Sequence, residues 1–172
     1  MTDYLEIALR LVGKHRSWKG WIKTFYPEPA RKIAQELTIT ALELISHSYL
    51  KWLGLQPEIL SKCGLYMHGN DLMINSTELE LMEISAVSCS LCWAYNRNSG
   101  VGTDCTICPL LKERGSKCDQ RTSEYPFAPW ITWAHTTNPR EMLVALEKAR
   151  EYVKNNPDLY QGVQYQREND GR

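Results

Sequence analysis

Apolar residues recur at helical spacing along most of this chain, and most runs end at a residue suited to stop them. Leu5, Ala8, Leu9 and Val12 share one face over residues 3–13, with Gly13 as the stop. Ser17 can cap a short helix in which Trp18, Trp21, Ile22 and Phe25 fall together. The spacing then predicts the longest helix of the chain, opening in PEPARK with Pro29 in its first turn. Its stripe runs Ile33, Ala34, Leu37, Ala41, Leu44, Ile45 and Trp52, and Gly54 ends it. His47, with Glu43 and Lys51 one turn to either side, reads as the exposed charged face of that helix. PEILSKCG adds one more turn of helix, closed by Gly64.

The middle of the chain changes period. LYMHGNDLMINS sets two short apolar runs around Gly69-Asn70-Asp71, the signature of a hairpin. ELELMEIS alternates as a strand would, and equally fits a helix capped at Ser76 or Thr77. In PFAPWITWAHTTN, Trp130 and Trp133 are expected to wedge a loop against the core. TTNPREMLVALEKAREYV has the strongest local helix signature, with Asn138 as cap, Pro139 first and Met142, Leu146, Ala149 and Val153 as its stripe. From Asn155 onward the sequence is polar and aperiodic.

The expected architecture is therefore mainly α (α+β): a helical domain with a small β-hairpin and zinc-knuckle insert, treble-clef or zinc-ribbon-like. Residues 1–154 form one zinc-stabilised domain, with a helical part at 1–64, the insert at 65–122 and a second helical part at 123–154. Residues 155–172 make a flexible tail. A length of 172 residues fits one domain with a real core and no need of disulfides. The formal net charge of zero argues against a protein that coats nucleic acid, although a local basic patch can hide in a neutral total. The first residues, MTDYLEIALRLVGKHR, lack the basic and apolar blocks of a signal peptide. That predicts a cytoplasmic, reducing setting, where closely spaced thiols hold metal rather than pair.

Five cysteines crowd residues 89–118, in CSLCWAYNRNSGVGTDCTICPLLKERGSKC. Cys89-x2-Cys92 and Cys105-x2-Cys108 are two paired-thiol knuckles, and two such turns complete a tetrahedron of about 2.3 Å Zn–S bonds. The spacer is rich in turn residues, and Pro109 suits the start of a helix, PLLKERG, closed by Gly115. The expected ligands of a Zn2+ ion are thus Cys89, Cys92, Cys105 and Cys108. Cys118 is the alternative ligand, and its entry would displace Cys105. Iron–sulfur is the second choice of metal centre, since the tight cysteine run of ferredoxins is absent. A four-thiolate site has no open position for water or substrate, which makes it structural rather than catalytic. Cys63 reads as a small buried side chain.

The order Cys89-x-x-Cys92-x-x-Tyr95, Cys105-x-x-Cys108-Pro109-Leu110 and Cys118, followed by Tyr125, Trp130 and Asn138-Pro139-x-x-Met142-x-x-x-Leu146, resembles small zinc-binding proteins of tailed bacteriophages. The resemblance covers about residues 85–153. It implies a phage origin, the cytoplasm of an infected bacterium and a metal site. By analogy it also suggests action on a host system, including antiviral defence. It carries no catalytic residues to this chain.

Segment 10–32 interleaves Arg10, Lys14, Arg16, Lys19, Lys23, Arg31 and Lys32 with aromatic rings, against a lone Glu28. Such a pattern serves a groove that stacks bases and neutralises phosphates, with Arg16, Trp18, Lys19, Trp21 and Lys23 as its binding residues. It also arises when an amphipathic helix buries its tryptophans and solvates its lysines, the commoner cause. No phosphate-cradling glycine loop, nucleophile elbow or deaminase signature is present. Dispersed acids, Asp71, Glu78 and Glu83, leave a metal-dependent hydrolase as the weakest reading. The leading expectation is a non-enzymatic, zinc-stabilised protein that binds a host macromolecule or a small ligand. A nucleic-acid-binding finger protein is the alternative.

Overall fold

The longest expected helix is two helices. In this computed structural model, which describes residues 3–36, 38–95, 108–115, 118 and 128–160, α3 (Ala30–Ala34) stops after five residues and α4 (Ala41–Gly54) starts afresh. The break has a local cause. Thr40 Oγ1 accepts from the Glu43 backbone N–H at 3.2 Å, and the Thr40 N–H donates to Glu43 Oε2 at 2.8 Å. This capping box satisfies two otherwise unpaired N–H groups, so a helix start at Thr40 outcompetes the continuous stripe expected from Pro29 to Gly54. Leu37, which that stripe used, lies outside the described residues.

α1 (Tyr4–Val12) and α2 (Trp18–Phe25) form where spacing and caps put them. The Asp3 and Ser17 side chains accept from the backbone N–H groups of Glu6 and Gly20, at 3.0 and 3.1 Å. Both helices lie on α4. α2 comes so close that a Cβ on Gly54 would stand 2.6 Å from the Phe25 side chain and 2.7 Å from Trp21 Nε1. Trp21 Nε1–H donates to Gly54 O at 2.8 Å across this contact. Gly54, expected as a helix stop, is the last residue of α4 and serves the approach of α2. α5 (Pro57–Lys62) follows, and the Gln56 amide joins it to α1 by donating to Tyr4 O at 2.8 Å.

The sheet has three antiparallel strands in the order β1 (Leu65–His68), β2 (Asp71–Ile74), β3 (Leu79–Glu83). The expected hairpin is present: His68 pairs with Asp71, and Gly69 takes the left-handed conformation, φ 60°, that the tight turn needs. ELELMEIS resolves as a strand. Leu65, Leu72 and Ile74 point into the core, and the other face remains accessible.

A 3-10 turn (Ala86–Ser88) leads into α6 (Ser90–Tyr95), and α7 (Pro109–Arg114), α8 (Pro129–Thr136) and α9 (Arg140–Asn155) complete the body. α9 buries the expected Met142, Leu146, Ala149 and Val153 against α4, α7 and α8, while Asn138 Oδ1 accepts from the Arg140 N–H at 3.0 Å. Trp133 meets Trp52 of α4 edge-on, centroids 5.1 Å apart, so the aromatic wedge is a helix rather than a loop. α10 (Pro157–Tyr160) sets Tyr160 against Tyr152, so a helical turn stands where the polar tail was expected to begin. Residues 161–172 of that tail lie outside the described residues. The molecule is mainly helical with a small sheet, and its buried side chains form one connected cluster. Among the described residues, no helix is long and apolar enough to cross a membrane.

Candidate functional site

Four of the five clustered cysteines lie within the described residues. Cys89 follows the 3-10 turn, Cys92 is in the first turn of α6, Cys108 precedes α7 and Cys118 lies just beyond it. Cys105 and the rest of the loop between the pairs lie outside the described residues. The local sequence explains the start of this site. Ser85 Oγ accepts from the Val87 N–H at 3.3 Å, and the Ser85 N–H donates to Ser88 Oγ at 3.1 Å, which tightens the chain after β3. The Cys89 carbonyl then accepts from the Trp93 N–H at 3.0 Å and begins α6. The first thiol pair therefore stands on a helix entrance, with a 3-10 turn between it and the sheet.

The thiols act on one another. Cys92 donates a hydrogen bond to Cys89, and the charges of Cys89, Cys118 and Cys108 all bear on it. The Cys92 thiol, Lys51 and the Cys92 backbone N–H hold Cys89 toward the thiolate against its burial, with help from the Ser48 hydroxyl. Cys92 is pushed the opposite way, first by the bond it donates and then by burial. Among the described residues, no three His, Cys, Asp or Glu side chains stand close enough to share one ion.

α4 forms the wall behind these sulfurs. Ser48 Oγ lies 3.9 Å from Cys89 Sγ and 3.0 Å from Ser90 Oγ, which donates to Leu44 O at 2.9 Å. One turn on, Lys51 is 1% exposed, and its Nζ donates to Ser88 O at 2.9 Å and Ser88 Oγ at 3.3 Å. Burial disfavours its ammonium, and the charges of Cys89, Cys92 and Cys118 favour it. His47 is buried too: its Nε2–H donates to Glu28 O at 2.8 Å and its ring packs on Tyr26.

The expected exposed face of His47 and Lys51 is thereby corrected. α4 is packed by α2, α3, α6 and α9, and nine of its fourteen residues are buried, so its core surface is much wider than one stripe. A sequence signal did exist. Ala41, Leu44, Ser48 and Lys51 follow helical spacing, so Lys51 continues a buried row.

The basic segment divides. Arg16, Lys19 and Lys23 are exposed, and Trp18 is half-buried with the Lys19 ammonium 5.3 Å from its ring centroid. Trp21 is fully buried by its bond to Gly54, so its ring is not available to stack on a base without opening α2 from α4. Arg31 lies over the Trp93 ring, and Lys32 pairs with Glu28 at 2.6 Å. Of the dispersed acids, Asp71 and Glu83 face each other across β2 and β3, while Glu78 turns the chain between those strands.

Fold and site together define a mainly helical protein with a three-stranded antiparallel sheet and, near a buried lysine, a set of mostly half-buried cysteines. Family models, characterised proteins and solved structures were compared with the chain, and none of them matches.

Proposed function

We propose that this chain is a non-enzymatic binding protein whose central segment is organised by one zinc ion on cysteine thiolates. The observation that carries the reading is the placement of Cys89 and Cys92 at the entrance of α6, with Cys108 at the start of α7 and Cys118 just beyond it. An all-sulfur donor set suits zinc, and the hydrogen bond that joins Cys89 to Cys92 brings two sulfurs within reach of one centre. The described sulfurs do not stand together as three, so Cys89, Cys92 and Cys108 would have to close on the ion as it binds, with Cys105 or Cys118, in a treble-clef or ribbon-like insert. Bound there, zinc would supply structural cross-linking and no open coordination position. In keeping with the resemblance to phage proteins, the ligand is a host macromolecule or small molecule in the cytoplasm of an infected bacterium, and counteracting a host defence is the biological setting of the reading.

Metal analysis of protein purified under reducing conditions tests the site. One zinc per chain, lost in Cys89→Ser and Cys92→Ser, is the expected result. A folded chain with no metal overturns the reading, and iron with sulfide replaces zinc by a cluster. Salt-sensitive binding to single-stranded nucleic acid that weakens in Lys19→Gln and Lys23→Gln would move the function to the basic segment.

A further inference from the structure

The starts of α1 and α5 and the link from α8 to α9 enclose a cavity of about 550 Å³, inside the range of roughly 300–1,000 Å³ that holds small molecules. Tyr4 and Leu143, which line it, are buried, whereas its charged lining residues Asp3, Glu58 and Arg140 are exposed. The cavity thus has an apolar floor under a charged rim. Tyr4 also fixes its walls. The Tyr4 carbonyl accepts from Gln56 Nε2 at 2.8 Å and its hydroxyl donates to Glu147 Oε2 at 2.8 Å, so one residue ties α1 both to the entrance of α5 and to α9.

The polar atoms left over are sorted by side. Gln56 is only 8% exposed, and its Nε2 donates to Tyr4 O and, at 3.1 Å, to Leu53 O. Those two carbonyls settle the amide orientation and leave Oε1 without a partner among the described residues. Asp3 commits Oδ1 to the Glu6 N–H and keeps Oδ2, and the Glu58 carboxylate makes no ion pair among the described residues. The α1–α5 side therefore offers acceptors. On the α8–α9 side, Asn138 commits Oδ1 to the Arg140 N–H and keeps its Nδ2 donors, and the Arg140 guanidinium is unpaired among the described residues. That side offers donors. The Thr136 hydroxyl, the remaining polar side chain of the lining, already donates to Thr132 O and accepts from the Asn138 N–H. Among the described residues, no ion pair joins the acids to Arg140, so opposite charges share one opening without neutralising each other.

We propose that this cavity binds a small zwitterion, with its ammonium among Asp3, Gln56 and Glu58, its carboxylate on Asn138 and Arg140, and an apolar carbon frame over Tyr4 and Leu143. An ammonium brings three donors to a side that has only acceptors to give. A guanidinium and an amide N–H suit a carboxylate in return. The acids and Arg140 stand too far apart for an ion pair, so a ligand whose charges are separated by several carbons bridges them. A ligand with a single charge satisfies one side only. The two bonds of Tyr4 hold both walls before a ligand arrives, which lowers the ordering cost of binding. The inference rests on the reading of this chain as a binding protein and does not depend on the metal.

The test titrates the nitrogen-15-labelled full chain with β-alanine, γ-aminobutanoate and ε-aminohexanoate, and with butylamine and butanoate as half-ligands. At least one zwitterion is expected to shift the side-chain amide signals of Gln56 and Asn138 with a dissociation constant of about 1 mM. Both half-ligands should bind about tenfold more weakly. Arg140→Gln and Glu58→Gln, both at exposed positions, should each weaken the zwitterion about tenfold. Asp3→Asn, which keeps a capping side chain for α1, should weaken it as well. No shift from any of the three zwitterions at up to about 10 mM overturns the proposal. Equal binding of butylamine or butanoate overturns it too, as does parental affinity in Arg140→Gln and Glu58→Gln. The half-ligand comparison needs no variant, so a variant that fails to fold leaves the decision intact. Zinc is measured on the same sample. A metal-free chain that binds a zwitterion overturns the zinc reading alone, and a zinc-loaded chain that binds none overturns this inference alone.

Discussion

His47 shows how a polar side chain joins this core without an ionic partner. Its Nε2–H is committed to the Glu28 carbonyl at 2.8 Å, which leaves Nδ1 as a buried lone pair with no hydrogen-bond partner among the described residues. Burial is the largest influence on the ring and holds its pKa below the ordinary value of 6.5, with the Lys51 charge acting the same way and Glu28 and Cys89 opposing. The neutral ring is thus favoured in the fold, and the unfolded chain takes up the proton first. The stability that follows is fully present above the unfolded value and is lost as pH falls from about 6.5 toward the folded one. In urea denaturation the parent should therefore lose more stability than His47→Gln between about pH 7.5 and pH 5.5, the span in which an ordinary histidine titrates. Equal losses in the two proteins would mean that the ring titrates alike in both states. Tyr4 and Tyr49 show the complementary case, in which two phenols converge on one carboxylate. Both donate to Glu147, at 2.8 and 3.1 Å, and burial with that negative charge raises both, Tyr49 to about 12.

Among the elements, α4 lies against α1, α2, α3, α6 and α9, and its start depends on four residues. Thr40 and Glu43 close a capping box, and the Thr40 hydroxyl and N–H, donating to Glu43 Oε2 at 2.7 and 2.8 Å, lower the Glu43 carboxyl pKa. Thr40→Ala should lower stability by about 1 kcal/mol, the usual worth of such a cap, while Thr40→Ser should cost only a fraction of that. Equilibrium unfolding in urea measures both, and identical losses would place the effect in the methyl group rather than the hydroxyl. The same box explains why the stripe from Ile33 to Trp52 misled. Apolar spacing reports which face is buried, and two helices separated by a short link can keep one face in register. The cap, which was legible as Thr-x-x-Glu, reports where a helix begins.

For the whole molecule, the metal reading divides one connected core into two parts. The body built from α1, α2, α4 and α9 is held by close side-chain packing, with Trp21, Phe25, Ile45, Leu53 and Leu146 almost wholly buried. α6 and α7 stand beside the cysteines, with Cys89 and Cys92 at the entrance of α6, Cys108 before α7 and Cys118 beyond it. On the metal reading, a strong chelator under reducing conditions should speed amide exchange in α6 and α7 first and leave α4 and α9 protected. Hydrogen-exchange mass spectrometry reads this directly, and a uniform loss of protection would show that the metal supports the entire fold.

Much of this was legible from residues close together in the sequence. Gly69-Asn70 made a hairpin because a tight turn needs a left-handed residue, and Asn138 marked the start of α9 because a free N–H needs an acceptor nearby. The crowding of cysteines between residues 89 and 118 was equally plain. These signals act over a few residues, so the sequence by itself determines them. Tertiary structure alone decided that α4 is enclosed on several sides, that His47 is a core residue, which acceptors meet Lys51, and that Trp21 belongs to the α2–α4 contact. The physical reason is that burial of a polar side chain depends on partners far along the chain. Ser88 stands 37 residues from Lys51 and Glu28 stands 19 from His47, and only the packed fold brings those acceptors within hydrogen-bond reach.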